Sequence, residues 1–414
     1  MAVVISCLLA SFLLSLGLTA VIRKLALRVG FVDKPGHRKI HYIPKPLGGG
    51  VAILLAMAIP MVGGLAYVHF SDPPKITTTT IASYSSGNVH STTVTTAIED
   101  HPLAVHWPGI RHQTPLALKF LAAMLAMHLL GLWDDRKALG PYLKLLIQLA
   151  IITALVLWAD LRALTVLDKF GVGKWPSVIL TVLWIAGITN AFNFLDNMDG
   201  LSAGVAAVCA GAFLLTVLTM PEPRQLFVAV MLGLFIGALL GFLIFNFAPA
   251  SIFMGDSGSL LIGLVLGVLT IRTTYLPPSD QSNLGARWYA LLAPLVVLAV
   301  PLYDLIVVSF IRLRMGKSPF VGDTNHFSHR LVARGMSRRT AVLCIYLITA
   351  ATSLAAVLLP HVRTSLQACL IFGQTILVLG VVMLLEQHPL PAYANNLPTP
   401  QPKTLEPEKV ELKR

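Results

Sequence analysis

The sequence predicts an all-α protein: a polytopic integral membrane helix bundle of about 11 transmembrane helices, with the N-terminus outside and the C-terminus cytoplasmic. Three observations carry that expectation. Hydrophobic residues make up 56% of the 414 residues and charged residues only 12%, with a mean hydropathy of +0.76, whereas ordinary globular chains are about 25% charged. The apolar residues gather into stretches of about 20, the length that crosses a bilayer as a helix. Lys and Arg collect in alternate connections, as the positive-inside bias requires.

In chain order the candidate spans are 1–22, 48–70, 115–132, 142–159, 176–192, 202–220, 226–247, 259–275, 287–311, 340–359 and 366–385. The first has no charged segment before it and is long for a signal peptide, so it reads as a retained anchor. Connections 23–47 and 312–339 carry seven Lys and Arg each, 133–141 two and the tail 386–414 four. By contrast 71–114 carries two, 221–225 one and 360–365 one, so the basic side is expected to be cytoplasmic. The 160–175 connection runs against the bias, with Arg162, Lys169 and Lys174 offset by Asp160 and Asp168.

Residues 1–385 thus read as one membrane-embedded domain with an extracytoplasmic insert at 71–114, and 386–414, rich in Pro and polar residues, as a disordered cytoplasmic tail. In the insert, β-branched residues alternating about Ser86-Gly87-Asn88 suggest a hairpin, with an unstructured loop as the alternative. The four cysteines lie at irregular spacing inside apolar segments and indicate neither a disulfide framework nor a zinc site. The net charge of +12 follows from the positive-inside bias, and some of those cations can meet anionic headgroups or a phosphorylated substrate. No basic stretch is interleaved with stacking aromatics, which excludes nucleic acid as a partner.

Five aspartates stand where apolar segments meet the cytoplasmic side: Asp134 and Asp135, Asp196 and Asp199, and Asp256. At the bilayer centre each would cost roughly 2.5–3.5 kcal/mol, about 12–18 kcal/mol together. Helix ends around a shared aqueous cleft relieve that cost, and converging carboxylates there suit a hard cation such as Mg²⁺ and, through it, a polyphosphate. Asp196 and Asp199, three apart, share a face if helical, with Asn190 and Asn193 as amides for a base or sugar; capping of a helix is the structural alternative. Adjacent Asp134 and Asp135 diverge by about 100° on a helix, so one can ligate metal while the other contacts substrate or accepts a proton. In FMGDSGS, Gly255 and Gly258 flank Asp256, with Ser257 and Ser259 before an apolar helix, an arrangement that offers N–H groups to phosphate or simply caps a turn. DTNHFSHRL sets His326 and His329 at i, i+3 beside Arg330, without a Cys or third His nearby, so an anion suits them better than a transition metal. Asp304, inside VPLYDLIVV, is the one acid that sits deep, either as a structural hydrogen-bonding group or on the cleft floor.

Five segments in order, FVDKPGHRKIHYIPKPLGG, GLWDDRKALGPYLKLLIQ, NAFNFLDNMDGLSAG, FMGDSGSLLIG and DTNHFSHRL, make the chain resemble the polyprenyl-phosphate N-acetylhexosamine-1-phosphate transferase family (glycosyltransferase family 4 type) from about Phe31 to Arg339. The first segment, with Asp33, Lys34, Pro35, Arg38, Lys39 and His41, is similar to the UDP-GlcNAc branch. The triple-histidine segment of the phospho-MurNAc-pentapeptide transferases is absent. The family's usual His-x-His-His reads His326-Phe327-Ser328-His329 here, which leaves the role of that loop open.

The resemblance implies transfer of HexNAc-1-phosphate from a UDP-sugar to undecaprenyl phosphate, giving undecaprenyl-diphospho-HexNAc and UMP, with Mg²⁺ or Mn²⁺ as cofactor. The setting would be the bacterial inner membrane, with the active site on its cytoplasmic face and a homodimer as one assembly. It also implies roles: Asp256 as metal ligand, Asp134, Asp135 and Asp196 completing the metal-diphosphate site, Asn190, Asn193, Asp196 and Asp199 holding the nucleotide-sugar, and Lys144, His326, His329 and Arg330 neutralising phosphates. A catalytic role falls to Asp134, Asp135, Asp256 and His326. The rivals are a phospho-MurNAc-pentapeptide transferase of the same family and a transporter of anionic sugar-phosphates; transporters place such groups near the midplane between repeated halves, and no repeat is found.

Overall fold

A computed structural model describes residues 1–33, 44–73, 76–79, 83–85, 88–90, 96–99, 104, 106–170, 173–220, 225–273, 288–319, 325–362 and 364–387. Of the expected tail 386–414, Glu386 and Gln387 belong to the last helix, while residues 388–414, and residues 34–43 of the first motif, lie outside the described residues. Among the described residues ten helices are long and apolar enough to span a membrane. They are α1 (Ala2–Arg28), α2 (Gly49–Phe70), α3 (Trp107–Arg136), α4 (Pro141–Ala159), α5 (Trp175–Leu195), α6 (Leu201–Thr219), α7 (Leu226–Asn246) and α8 (Asp256–Thr273), then α12 (Arg338–Val357) and α13 (Ser365–Gln387). The protein is a polytopic helical membrane protein.

The apolar stretch at 287–311 does not form one continuous helix. It breaks into a 3₁₀ turn at Trp288–Leu292, α9 (Ala293–Val297) and α10 (Ala299–Arg314). Pro301 lacks the N–H that would reach the Val297 carbonyl, and that carbonyl accepts instead from the Ser353 hydroxyl at 3.1 Å and the Cys209 thiol at 3.4 Å. Beyond α10 lies the short α11 (Phe327–Ala333).

Packing follows membrane rules. Between helices in lipid, small residues permit close approach and hydroxyls supply cross-links. Accordingly α1 lies along α7, its Ser11 and Ser15 hydroxyls donating to the Leu234 and Ala238 carbonyls at 2.7 and 2.6 Å. Helix α8 is the centre of the bundle, with 89% of its residues buried against 17% in the most apolar 18-residue stretches of the peripheral α1 and α13. The site is therefore built at the end of the most buried helix.

Strands are short and peripheral. β1 (Val32–Asp33) pairs antiparallel with β2 (Lys45–Pro46). In the insert, β3 (Ile76–Thr79) pairs with β6 (Thr96–Glu99), and β4 (Ser83–Ser85) with β5 (Asn88–His90) in the register Tyr84↔Val89. The last pair is the hairpin expected about Ser86-Gly87-Asn88.

Candidate active site

The N-terminus of α8 is the focus. Gly255, at φ +74°, turns the chain into the helix, leaving the first N–H groups of α8 in need of acceptors. Asp135, in the last turn of α3, supplies them: its carboxylate accepts from the Asp256 N–H at 2.7 Å and the Ser257 N–H at 3.1 Å. A carboxylate at a helix N-terminus is also favoured by the helix dipole. Two glycines let neighbouring helices reach this point. A Cβ at Gly131 of α3 would lie 2.4 Å from the Ser257 nitrogen, and one at Gly50 of α2 2.4 Å from that of Gly258. The start of α2 is bonded to the same strand of chain, Gly49 N–H to Phe253 C=O at 3.0 Å and Gly50 N–H to Met254 C=O at 3.2 Å.

Around Asp256 the polar groups converge from four helices. Lys144, in the first turn of α4, contacts the Asp256 carboxylate, donates to Asp134 Oδ2 at 3.2 Å and lies 3.4 Å from Asn193 Oδ1. Asn193, in the last turn of α5, donates to Asp256 Oδ1 at 3.1 Å and to the Ser259 hydroxyl at 2.9 Å. Asp134 also accepts from the Leu139 N–H at 2.6 Å, which fixes the turn from α3 into α4. Asp196, immediately after α5, has no side-chain partner among the described residues. Burial first, then the negative charges of Asp256, Asp135 and Asp199, push its carboxyl up to about 8. Such a group is half-starved of positive charge, and a cation placed near it would lower its pKa again.

Other expected site residues take supporting places. Asp199 accepts from the Ala250 N–H at 2.8 Å and lies 3.9 Å from the Lys45 ammonium, which in turn donates to the Ala250 carbonyl at 2.7 Å. Together they brace the 250 turn that leads into FMGDSGS. Asn190 sits one helical turn below Asn193 and ties α5 to α4 through Gln148 at 3.0 Å.

The histidine loop is held by protein groups on several sides. Both ring nitrogens of His326 face protein groups, Nδ1 the Asp304 carboxylate at 2.8 Å and Nε2 the Arg312 guanidinium at 3.3 Å. Arg330 donates to the Asn325 carbonyl and pairs with Glu386 at 2.9 Å. Ser328 is 1% exposed and its hydroxyl donates to Asn197, so the histidine of the family pattern has no room here. His329 is half-buried, its ring 6.3 Å from that of His326.

Ser259 was visible in the sequence only as a hydroxyl before an apolar helix, and Asn197, Lys45 and Arg312 carried no assigned role. Lys45 was countable as part of a motif and Arg312 as a basic residue, but their partners are 205 and 14 residues away and carry no local signal. Among the described residues no group of three or more His, Cys, Asp or Glu side chains already encloses a metal-sized space. The cation between Asp134 and Asp256 is the Lys144 ammonium.

Residues 117–274 match the family model described as glycosyl transferase family 4. A probable undecaprenyl-phosphate N-acetylglucosaminyl 1-phosphate transferase of Bacillus subtilis (strain 168) is 30% identical over 367 residues, 87% of this chain and 86% of the relative. A decaprenyl-phosphate N-acetylglucosaminephosphotransferase of Mycolicibacterium smegmatis is 33% identical over 384 residues, 88% and 82% of the two chains. An undecaprenyl-phosphate alpha-N-acetylglucosaminyl 1-phosphate transferase of Escherichia coli (strain K12) is 26% identical over 338 residues, 79% and 76% of the two.

Proposed function

Because this chain belongs to glycosyl transferase family 4, we propose that it transfers GlcNAc-1-phosphate from UDP-GlcNAc to undecaprenyl phosphate, giving undecaprenyl-diphospho-GlcNAc and UMP. The observation that carries the reading is the convergence of Asp134, Lys144, Asn193, Asp196 and Asp256 from separate motifs at the end of the bundle where α8 begins. The relatives' names give the transferred N-acetylglucosaminyl 1-phosphate and a polyprenyl-phosphate acceptor; UDP as its carrier is what the family resemblance implies.

The chemistry suits such a site. A phosphate monoester has its second pKa near 6, so the lipid phosphate is largely dianionic at neutral pH and attacks the β-phosphorus of the UDP-sugar without needing a strong base. The bridging P–O bond breaks and UMP leaves. The obstacle is the approach of two anions, which is lowered by fixed positive groups and oriented donors. Lys144 is the nearest cation, Asn193 orients Asp256, and Asp135 keeps the N-terminus of α8 in place.

Hard carboxylate oxygens from Asp134, Asp196 and Asp256, with Asp135 beside them, are the donor set that Mg²⁺ or Mn²⁺ prefers. Asp196, buried and facing the carboxylates of Asp256, Asp135 and Asp199, would be favoured as an anion by a cation placed there. When bound, the ion would offset the negative charge of the donor's diphosphate and of the phosphate on the departing UMP. We place the enzyme in the bacterial inner membrane with this site facing the cytoplasm, where nucleotide-sugars are found.

The test is incubation of the purified protein with undecaprenyl phosphate, Mg²⁺ and a panel of UDP-sugars, with lipid products identified by mass. A GlcNAc-diphospho-lipid is expected. Absence of any lipid product would sink the reading, and better use of the UDP-MurNAc-pentapeptide donor would move the chain to the other branch.

A further inference from the structure

We propose that Asp304 is a positioning residue for this reaction: through His326 it docks α11 against the segment that carries Asn193 and Asp196. The inference rests on the proposed transfer reaction, since the segment it braces is the one assigned to the nucleotide-sugar and metal.

Asp304 is completely buried on α10, within an otherwise apolar stretch. A buried carboxylate survives only when its oxygens are satisfied. Both go to the beginning of α11: Oδ2 to His326 Nδ1 at 2.8 Å and Oδ1 to the Phe327 N–H at 2.7 Å. The pairing fixes the proton on Nδ1 and leaves Nε2 as acceptor, and Nε2 meets the Arg312 guanidinium at 3.3 Å. Arg312 lies two turns further along α10, is itself buried, and donates to the Pro319 carbonyl at 2.6 Å.

From this triad the contacts run to the site. The His326 ring packs edge-on against Phe194 at 5.9 Å, and the Arg312 guanidinium covers the same ring at 4.9 Å. Phe194 follows Asn193, which stands between Lys144 and Asp256. On the other side of Phe194, the Ser328 hydroxyl of α11 donates to Asn197, the neighbour of Asp196. The loop thus grips Phe194, next to Asn193, and Asn197, next to Asp196. An apolar core would hold α10 and α11 together as well, for replacing buried charges with packed hydrophobes is often neutral or stabilising. What the charged triad adds is a fixed ring orientation against Phe194.

Two substitutions separate the ring nitrogens. In H326N the amide nitrogen falls near the Nδ1 position and keeps the donor to Asp304; in H326Q it falls near Nε2 and loses that donor. Assayed with UDP-GlcNAc and undecaprenyl phosphate, H326N is expected to stay within about tenfold of wild type in kcat/KM while H326Q and D304N each fall by on the order of a hundredfold, the scale of a misplaced site. The double variant D304N/H326Q should be no worse than H326Q alone, because both remove one link. Equal activity of H326N and H326Q, or multiplying losses in the double variant, would overturn the proposal. If D304N fails to fold, the two histidine variants, which leave Asp304 in place, decide alone.

A second readout does not need turnover. In a background without the four native cysteines, a short bis-maleimide should join cysteines placed at 197 and 328, and H326Q or D304N should slow that reaction while H326N does not. Unchanged cross-linking in H326Q and D304N would overturn the docking role. An inactive wild type with intact, Asp304-dependent cross-linking would instead sink only the transfer reaction.

Discussion

Asp256 occupies a position where charge, not size, decides the outcome. Its two oxygens are divided between Asn193 and Lys144, with Asp134 close by. D256N keeps the volume but turns one acceptor into a donor facing an ammonium or an amide, and it removes a carboxylate from the hard-cation set. Nearly complete loss of transfer is expected in a protein that still elutes as wild type from a sizing column, and wild-type turnover would falsify the ligand assignment. Ser328 makes the opposite point. From the sequence, a histidine there would restore the family pattern and be tolerated or mildly activating. The structure revises that expectation, because Ser328 is buried and reaches Asn197 with a hydroxyl. Overfilling a packed site costs about 1–3 kcal/mol, so S328H should lower the thermal midpoint in detergent and reduce turnover, and S328A should do less harm. An S328H protein as stable as wild type would show that α11 can move away without penalty.

At the scale of elements, the site depends on helices reaching the start of α8, and that is what G131A tests. A Cβ there would meet Ser257 backbone at 2.4 Å, a contact that no side-chain rotation relieves. Forcing α3 outward would also pull Asp135 from the Asp256 and Ser257 N–H groups and shift Asp134 from Lys144. G131A is therefore expected to lose most activity and to unfold at lower temperature, whereas G140A, with open space around its Cβ, should change little. Equal behaviour of the two would mean that the close approach of α3 is dispensable. The spans themselves were legible, since α2, α4, α6 and α7 begin and end within two residues of their apolar stretches. Hydropathy misplaced what hydrogen bonding decides. Helix α8 begins at Asp256 rather than 259 because Asp135 completes its polar first turn from another helix. The stretch at 287–311 reads as one unbroken helix because composition cannot show that Val297's carbonyl finds Ser353 and Cys209. Of the site, the five aspartates were visible as costly charges in apolar sequence. Their division of labour was not, since Asp135 and Asp199 are distinguished from Asp134 and Asp196 only by backbone partners distant in sequence.

For the whole molecule the consequential question is which end of the bundle faces the nucleotide-sugar. The aspartates gather where α3 and α5 end and α4 and α8 begin, and the insert strands lie beyond the other ends of α2 and α3. Lys and Arg weight the connections 23–47 and 312–339 with seven each, against two in 71–114. Positive charge near span ends marks the cytoplasmic side, and that side also holds the UDP-sugar on the proposed reading. Cysteines introduced singly at the exposed positions 72 and 138, in a background lacking Cys7, Cys209, Cys344 and Cys369, separate the two faces. A membrane-impermeant maleimide applied to intact cells should label position 72 and spare 138, and permeabilisation should open 138. The inverse pattern would put Asp256 outside and sink the assigned donor. Labelling at both positions before permeabilisation would mean that α3 does not separate them across a bilayer, contrary to a 30-residue helix of span-forming hydropathy.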